Sequence, residues 1–63
     1  MVDQKTMYTI IDLLRLNAKN GLNLSDFTHF ANIDYNSAKK VVTFLLEIDK
    51  IEQLDDGKWK LKN

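Results

Sequence analysis

The sequence predicts a small α+β fold, in which three helices precede a small antiparallel sheet. Two patterns in the 63 residues indicate this fold. Up to residue 48 the apolar residues recur every three or four positions, as in amphipathic helices. After that they alternate with polar residues, as in strands, on either side of an Asp56-Gly57 hairpin signal. The length fits a single domain over residues 1–63 with a modest core.

The first helix is predicted to start at Asp3 or Thr6, since both side chains can cap a helix N-terminus. It runs to Asn20, and Gly21 follows it as a left-handed C-cap. Its main apolar stripe has helical spacing and consists of Met7, Ile10, Ile11, Leu14 and Ala18.

Two leucines of this helix, Leu13 and Leu16, do not fit the stripe and project from its far side. Two interpretations remain open. Either Met1, Val2 or the sheet covers them, or they form the interface of a homodimer through helix 1. A domain this small has few elements left to cover a second helix face.

The second helix is predicted at SDFTHFA, with Ser25 as its N-cap. Phe27, Phe30 and Ala31 are spaced i, i+3 and i+4, which predicts that all three belong to the core. His29 lies off that face, and we interpret it as a surface residue.

Short segments flank the second helix. The alternation in 22–24 predicts a brief strand or an extended linker with both leucines inward. On the other side, Asn32 tolerates the left-handed conformation, Ile33 inserts into the core and Asp34 caps the third helix. Two short helices joined by such a turn form a helix-turn-helix.

The third helix is predicted from Asp34 to Ile48. Its buried face consists of Ala38, Val41, Val42, Leu45 and Ile48. The opposite, polar face consists of Asn36, Lys40, Thr43 and Glu47. Phe44 lies at the edge of the buried face, and we assign it to the core.

The hairpin is predicted from a strand at 51–54, a turn at 55–57 and a return strand at 58–62. Trp59 and Leu61 share one face of the return strand and close the core. Lys58, Lys60 and Lys62 share the other face.

Four motifs together resemble the winged helix-turn-helix superfamily, over nearly the whole chain. They are G-L-x-L-S-x-F at 21–27, N-I-D at 32–34, A-x-x-V-x-x-x-L-L-E-x-x-x-I-E at 38–52 and D-G-K-W-x-L at 56–61. The resemblance implies the order helix, short strand, helix, helix, two-stranded wing, and a small transcriptional regulator of prokaryotic or archaeal type. Two features depart from the family pattern. Asp49 and Lys50 stand where a glycine is frequent, and the wing tip carries Asp55 and Asp56 where it is often basic.

The resemblance also implies that the chain binds double-stranded DNA, with helix 3 in the major groove. The residues that this helix would present are Tyr35, Asn36, Ser37, Lys39, Lys40 and Thr43. Asn can bond adenine, Lys can reach guanine or a phosphate, and Thr can contact a base edge. The wing residues Lys58 and Lys60, with Lys62, would follow phosphates. The same side chains are also typical of a solvated helix face and a lysine-bearing edge strand.

A protein-interaction module is the alternative function. The chain is also similar to the C-terminal winged helix of the middle subunit of replication protein A, which recruits partner helices. Nine basic and nine acidic residues give a formal net charge of zero, so DNA binding must come from a local arrangement of cations. The neutral charge and the acidic wing tip both favour a protein partner.

Other function classes are not expected. The sequence lacks a pair of catalytic carboxylates, a nucleophile–base pair and a phosphate-binding glycine loop, so we expect no enzyme and no cofactor. There is no cysteine, and His29 is the only histidine, which argues against a metal site. No apolar run approaches the roughly 20 residues of a membrane span, and no signal peptide is visible, so we expect a cytoplasmic location without membrane contact.

Overall fold

The computed structural model describes residues 2–62 and confirms an α+β fold with three helices and a two-stranded antiparallel sheet. The elements α1, α2, α3, β1 and β2 are Gln4–Leu16, Leu24–Ala31, Tyr35–Glu47, Ile51–Gln53 and Trp59–Leu61. In the sheet, Ile51 pairs with Leu61 and Gln53 with Trp59.

The brief strand or extended linker predicted at 22–24 forms one antiparallel bridge, between Leu22 and Trp59, and Leu24 begins α2. The Leu22 N–H donates to the Trp59 carbonyl over 2.9 Å, and the Trp59 N–H donates back over 2.7 Å. The spatial order is therefore Leu22, β2, β1. Gly21 has a φ of +74°, and a Cβ there would lie 2.5 Å from the Trp59 carbonyl oxygen. Glycine is thus required both by its conformation and by the close approach of β2.

The core lies between the three helices and the inner side of the sheet. The predicted buried face of α3 is confirmed for Ala38, Val41, Val42 and Leu45, which are at most 3% exposed. The other buried members of the core are Ile10, Leu14, Leu22, Phe27 and Ile51. The predicted closing residues Trp59 and Leu61 are half-buried and pack against this cluster.

Helix α1 begins where predicted but ends earlier, at Leu16 rather than at Asn20. The Asp3 carboxylate caps it by accepting the Thr6 N–H. At the other end, the Asn17 backbone N–H and side-chain amide both donate to the Leu13 carbonyl, over 3.1 and 2.9 Å. This local bonding competes with another helical turn. The prediction that Ala18 belongs to the apolar stripe is consequently wrong, because Ala18 lies in the following turn and is exposed.

Helix α2 is capped by Asn23 and not by Ser25, which corrects the predicted start. The Asn23 side-chain oxygen accepts the Asp26 N–H, and the Asp26 carboxylate accepts the Asn23 N–H, both over 2.9 Å. This reciprocal pair is a capping box, which satisfies two helix-end donors at once. The Ser25 hydroxyl only donates to the Asn23 side chain.

Three apolar residues that were assigned to the core are exposed. Phe30 is 63% exposed and meets the His29 ring edge-on, with 5.1 Å between ring centroids. It lies about 60° around the short α2 from the fully buried Phe27. Ile48 is 53% exposed because the helix ends at Glu47 and Ile48 is only its C-cap. Phe44 is 37% exposed and faces a surface groove.

The turns on either side of α3 each contain a left-handed residue, and Asn32 was predicted to tolerate this conformation. Asn32 and Asp49 adopt left-handed backbone angles, with φ of 54° and 61°. The hairpin is also confirmed, with a three-residue loop at 55–57. Its Leu54 N–H donates to the Lys58 carbonyl over 2.7 Å, and Gly57 has a φ of +90°.

Candidate nucleic-acid interface

An open groove of about 1110 Å³ runs between the outer face of α3 and the start of α1. We call it the α1–α3 groove. Its α3 residues are Asn36, Lys39, Lys40, Thr43, Phe44 and Glu47. Its α1-side residues are Val2, Gln4 and Met7. The structure thus brings four of the six predicted helix-3 contact residues into one concave surface.

The cations of this groove are uncompensated. Lys39 and Lys40 are exposed, and neither forms an ion pair with any residue in the range 2–62. Among residues 2–62, Glu47 is the only acidic residue that lines the groove, and it lies about 10 Å from Lys40 along the helix axis, at 1.5 Å per residue. The N-terminal half of the groove is therefore lined by two lysines and no carboxylate, while Asp3 lines the adjoining pocket together with Lys40.

The N-terminus of α3 is closed by its own cap. The Asp34 carboxylate accepts the N–H groups of Asn36 and Ser37, over 3.1 and 3.2 Å. A free helix N-terminus favours phosphate, but here a carboxylate already occupies these donors. Anion contacts on α3 must therefore come from lysine side chains and not from the backbone.

The polar residues on either side of the lysines, Asn36 and Thr43, can form different hydrogen bonds. The Thr43 hydroxyl donates to the Lys39 carbonyl over 2.9 Å, and the side chain is exposed, so its oxygen can still accept a hydrogen bond. It can accept a hydrogen bond or contact a thymine methyl group. Asn36 is exposed at the start of the helix, and its amide can both donate and accept.

Tyr35 and Ser37 lie apart from the groove. Ser37 is half-buried and, with Lys40, lines a smaller neighbouring pocket of about 80 Å³. Tyr35, the first residue of α3, is 52% exposed and lines neither pocket.

The hairpin lysines also lie outside the groove. Lys58 and Lys60 are half-buried. The Lys62 ammonium donates to the Asp49 carboxylate over 2.6 Å, and this hydrogen bond raises the pKa of Lys62. At the exposed tip, the Asp56 carboxylate accepts the Lys58 N–H over 3.0 Å. The hairpin is consequently less cationic towards a partner than its sequence suggests.

The start of α1, which forms the second wall of the groove, is held by its cap. The Thr6 hydroxyl and N–H donate to the Asp3 carboxylate over 2.6 and 3.1 Å. These bonds, that of the hydroxyl first, lower the pKa of Asp3. The sequence did not indicate Val2, Gln4 and Met7 as site residues. The one available signal was Met7 at the end of the apolar stripe, where a helix edge meets solvent.

The two leucines predicted as a dimer interface have separate environments. Leu13 is half-buried and packs against the core, as the interpretation of a covered residue expects and unlike a fully free dimer surface. Leu16 is 81% exposed at the end of α1. Val2 lies at the opposite end of α1, beside the groove, and so does not cover Leu16. The predicted covering by Met1 lies outside the described residues.

Within residues 2–62, no helix is long and apolar enough to span a bilayer. No group of three or more His, Asp or Glu side chains in this range could hold a metal ion. Comparisons of the chain with protein-family models, with curated proteins and with solved structures gave no match.

Proposed function

We propose that this chain is a winged helix-turn-helix domain that binds double-stranded DNA through the outer face of α3, as a small transcriptional regulator. The element order supports this proposal, with α2 and α3 joined by a three-residue turn and followed by a hairpin. The bridge at Leu22 gives the sheet order Leu22, β2, β1, in which the returning strand is central. The resemblance of the sequence motifs implies the same fold.

The DNA proposal rests on one observation: two exposed lysines that form no ion pair lie beside two polar side chains that can contact bases. Lys39 and Lys40 are exposed on one helix that also presents Asn36 and Thr43. In a major groove, the lysine side chains would neutralise phosphates or bond guanine, while the two polar side chains meet base edges. Glu47 lies far enough along α3 to stay outside a groove that receives the N-terminal half of the helix.

The hairpin has a secondary role in this proposal. Lys58 and Lys60 point away from the core on β2 and its flank, and would follow the phosphate backbone. The acidic tip at Asp55 and Asp56 would be repelled by phosphate, so the contact involves the flank of the hairpin and not its tip.

A homodimer through α1 is part of the proposal, since one small module offers little area for specific DNA recognition. Of the two leucines predicted for this interface, Leu16 is exposed and Leu13 is half-buried. Light scattering at high micromolar concentration should give a dimer mass for the native chain and a monomer mass for Leu16→Ser.

The DNA proposal is tested by NMR titration of the ¹⁵N-labelled chain with random-sequence duplex at low and moderate salt. We expect chemical-shift changes at 36–43 and 58–62, and an affinity that falls steeply with salt. Lys39→Ala/Lys40→Ala should lower the slope of log K against log salt by about 2, because each phosphate contact contributes about 0.9.

The matched control is Lys5→Ala/Lys19→Ala. It changes the net charge by the same two units, and both lysines are exposed outside the groove. It should leave the salt slope nearly unchanged. Equal losses in the two double variants would mean that only overall charge matters, and no shifts at low salt would remove the DNA proposal.

A further inference from the structure

We propose that the α1–α3 groove binds a small amphipathic anion, one with a flat aromatic body and a single carboxylate. This ligand differs in chemistry from DNA, and its binding does not depend on the DNA proposal. The groove combines three features that such a ligand would complement: an apolar wall, cations one helical turn away and a carboxylate that limits the charge of the ligand.

The apolar wall consists of Val2, Met7 and Phe44. Val2 and Met7 are half-buried against the core, and Phe44 keeps 37% of its surface exposed. Phosphates and sugars gain little from such a surface, whereas an aromatic ring gains about 25 cal/mol for each Å² that it buries. Phenyl rings and thioethers both make favourable contacts with aromatic rings. The wall therefore favours a flat aromatic body.

The cations lie close to the aromatic residue of this wall. Lys40 precedes Phe44 by four residues, so the two side chains are neighbours on α3, about 6 Å apart along its axis. Lys40 also lies near Val2, because both residues line the groove and the smaller adjoining pocket. Lys39 is a second cation, and neither lysine forms an ion pair within residues 2–62. A carboxylate on the aromatic body can thus reach a lysine while the body lies on the wall.

Two carboxylates of the chain restrict the charge of the ligand. Glu47, three residues after Phe44, lines the C-terminal end of the groove, where it would repel a second carboxylate. Asp3 lines the smaller pocket with Lys40, but its carboxylate accepts the Thr6 hydroxyl and N–H. Asp3 and Lys40, both within the described range 2–62, form no ion pair. Lys40 therefore stays available, and the groove favours a monoanion over a dianion.

Binding of this ligand would weaken DNA binding, a consequence that rests on the proposed function. Lys39 and Lys40 belong to both surfaces, so a bound carboxylate would neutralise cations that contact phosphates. The aromatic body would also cover Phe44, beside the face of α3 that would read bases. The ligand would thus release DNA by occupying the same side chains.

The main probes are 2-naphthoate and 2-naphthamide, which share one aromatic body and differ in charge. In ¹⁵N NMR titrations without DNA, 2-naphthoate should shift the signals of Met7, Lys40 and Phe44. The amide should bind about tenfold more weakly, because it cannot form a charge-assisted hydrogen bond with a lysine. The corresponding naphthalene dicarboxylate should bind no more tightly than 2-naphthoate. Octanoate should bind more weakly, since its flexible chain loses more conformational entropy.

Two pairs of variants test the groove itself, after their NMR spectra verify that they are folded. Phe44→Ser should weaken 2-naphthoate binding about tenfold, as loss of an anchor does. Its matched control is Leu46→Ser, because Leu46 is 39% exposed on the same helix but does not line the groove. Lys40→Gln should remove the preference for the acid over the amide. Its control, Lys19→Gln, changes an exposed lysine outside the groove and should keep that preference.

Several results would overturn this inference. They are no shifts with 2-naphthoate, equal binding of the acid and the amide, equal losses in the two serine variants, or tighter binding of octanoate. Failure of the DNA proposal is seen separately, because these titrations contain no DNA. Where the chain binds a duplex, 2-naphthoate should raise the apparent Kd for the duplex and 2-naphthamide should not. An unchanged Kd at saturating 2-naphthoate would contradict the overlap of the two surfaces.

Discussion

Helix α3 and the hairpin both have an apolar inner face and lysines on the outside, but their inner faces are buried to different extents. Four inner residues of α3 are at most 3% exposed. In the hairpin only Ile51 reaches this level, at 2%, while Trp59 and Leu61 stay half-buried. Helix α3 therefore lies at the centre of the core, and the hairpin covers one side of it.

The outer faces of α3 and of the hairpin also differ, in whether their lysines form ion pairs. Lys39 and Lys40 of α3 have no acidic partner within residues 2–62, whereas Lys62 beside the hairpin is paired with Asp49. A pattern of lysines in the sequence can therefore overstate the positive charge that a surface presents to a partner. Of the three hairpin lysines, Lys62 is paired, while Lys58 and Lys60 form no ion pair within residues 2–62.

The largest expected difference between the two regions concerns core truncation. Leu45→Ala on α3 should lower the free energy of unfolding by about 2–5 kcal/mol, the usual cost of a fully buried leucine. The whole chain should have only about 3–9 kcal/mol at a typical 0.05–0.15 kcal/mol per residue. Leu61→Ala on β2 should cost roughly 1 kcal/mol, because its side chain is only half-buried.

Urea unfolding followed by circular dichroism measures both values. The Leu45 variant should unfold at a much lower urea concentration than the native chain, and the Leu61 variant only slightly below it. Equal costs would show that the hairpin contributes as much to the core as α3, and would break the comparison.

The next effect concerns two glycines that flank β2 in space. Gly57→Ala should cost about 1–2 kcal/mol, the penalty of a left-handed conformation, since the nearest atom to its new Cβ is 4.0 Å away. Gly21→Ala carries the same penalty and also places its Cβ 2.5 Å from the Trp59 carbonyl oxygen. It should therefore be the more destabilising change by thermal unfolding.

Comparing the two variants shows whether the hairpin loop or the bridge at Leu22 contributes more to holding β2 in place. A larger loss for Gly57→Ala would mean that the loop, and not the bridge at Leu22, holds β2 in place. Gln53, whose amide donates to the Gly57 carbonyl over 3.1 Å, would then be the residue to substitute next.

The sequence predicted the interior of the elements better than their ends. The buried face of α3 follows from helical spacing alone, because four apolar residues recur at helical spacing over about two turns. The end of α1 at Leu16, the exposure of Phe30 and that of Ile48 were not predictable in this way. The end of α1 depends on the hydrogen bonds of Asn17, and the exposure of Ile48 depends on where α3 ends. The exposure of Phe30 depends on which side of α2 the rest of the chain covers. Periodicity contains none of this information.

The candidate site follows the same division. Asn36, Lys40 and Thr43 were predicted to share one face of α3, and all line the groove. The start of α1 as its second wall was not predicted, because the angle at which two helices cross depends on the side chains packed between them. The pairing of Lys62 with Asp49 was equally inaccessible, since the two residues are distant in sequence and meet only in the folded chain.

The smallest expected effect concerns this ion pair, which joins the end of the hairpin to the turn after α3. The hydrogen bond from Lys62 to Asp49 raises the pKa of Lys62 above its usual 10.5. Its stabilisation is therefore complete below about pH 10.5 and is lost as the pH rises through the higher pKa of the folded state.

The variant Lys62→Gln removes the pair and keeps the Lys62 backbone N–H that donates to the Lys50 carbonyl. We expect its thermal midpoint to lie slightly below that of the native chain at pH 8, with the gap closing towards pH 12. All other side chains are the same in both chains, so the difference between the two curves isolates Lys62. A gap that stays constant over this range would mean that the side chain stabilises the hairpin by packing its methylene groups. The hairpin lysines would then differ from those of α3 in burial and not in charge pairing.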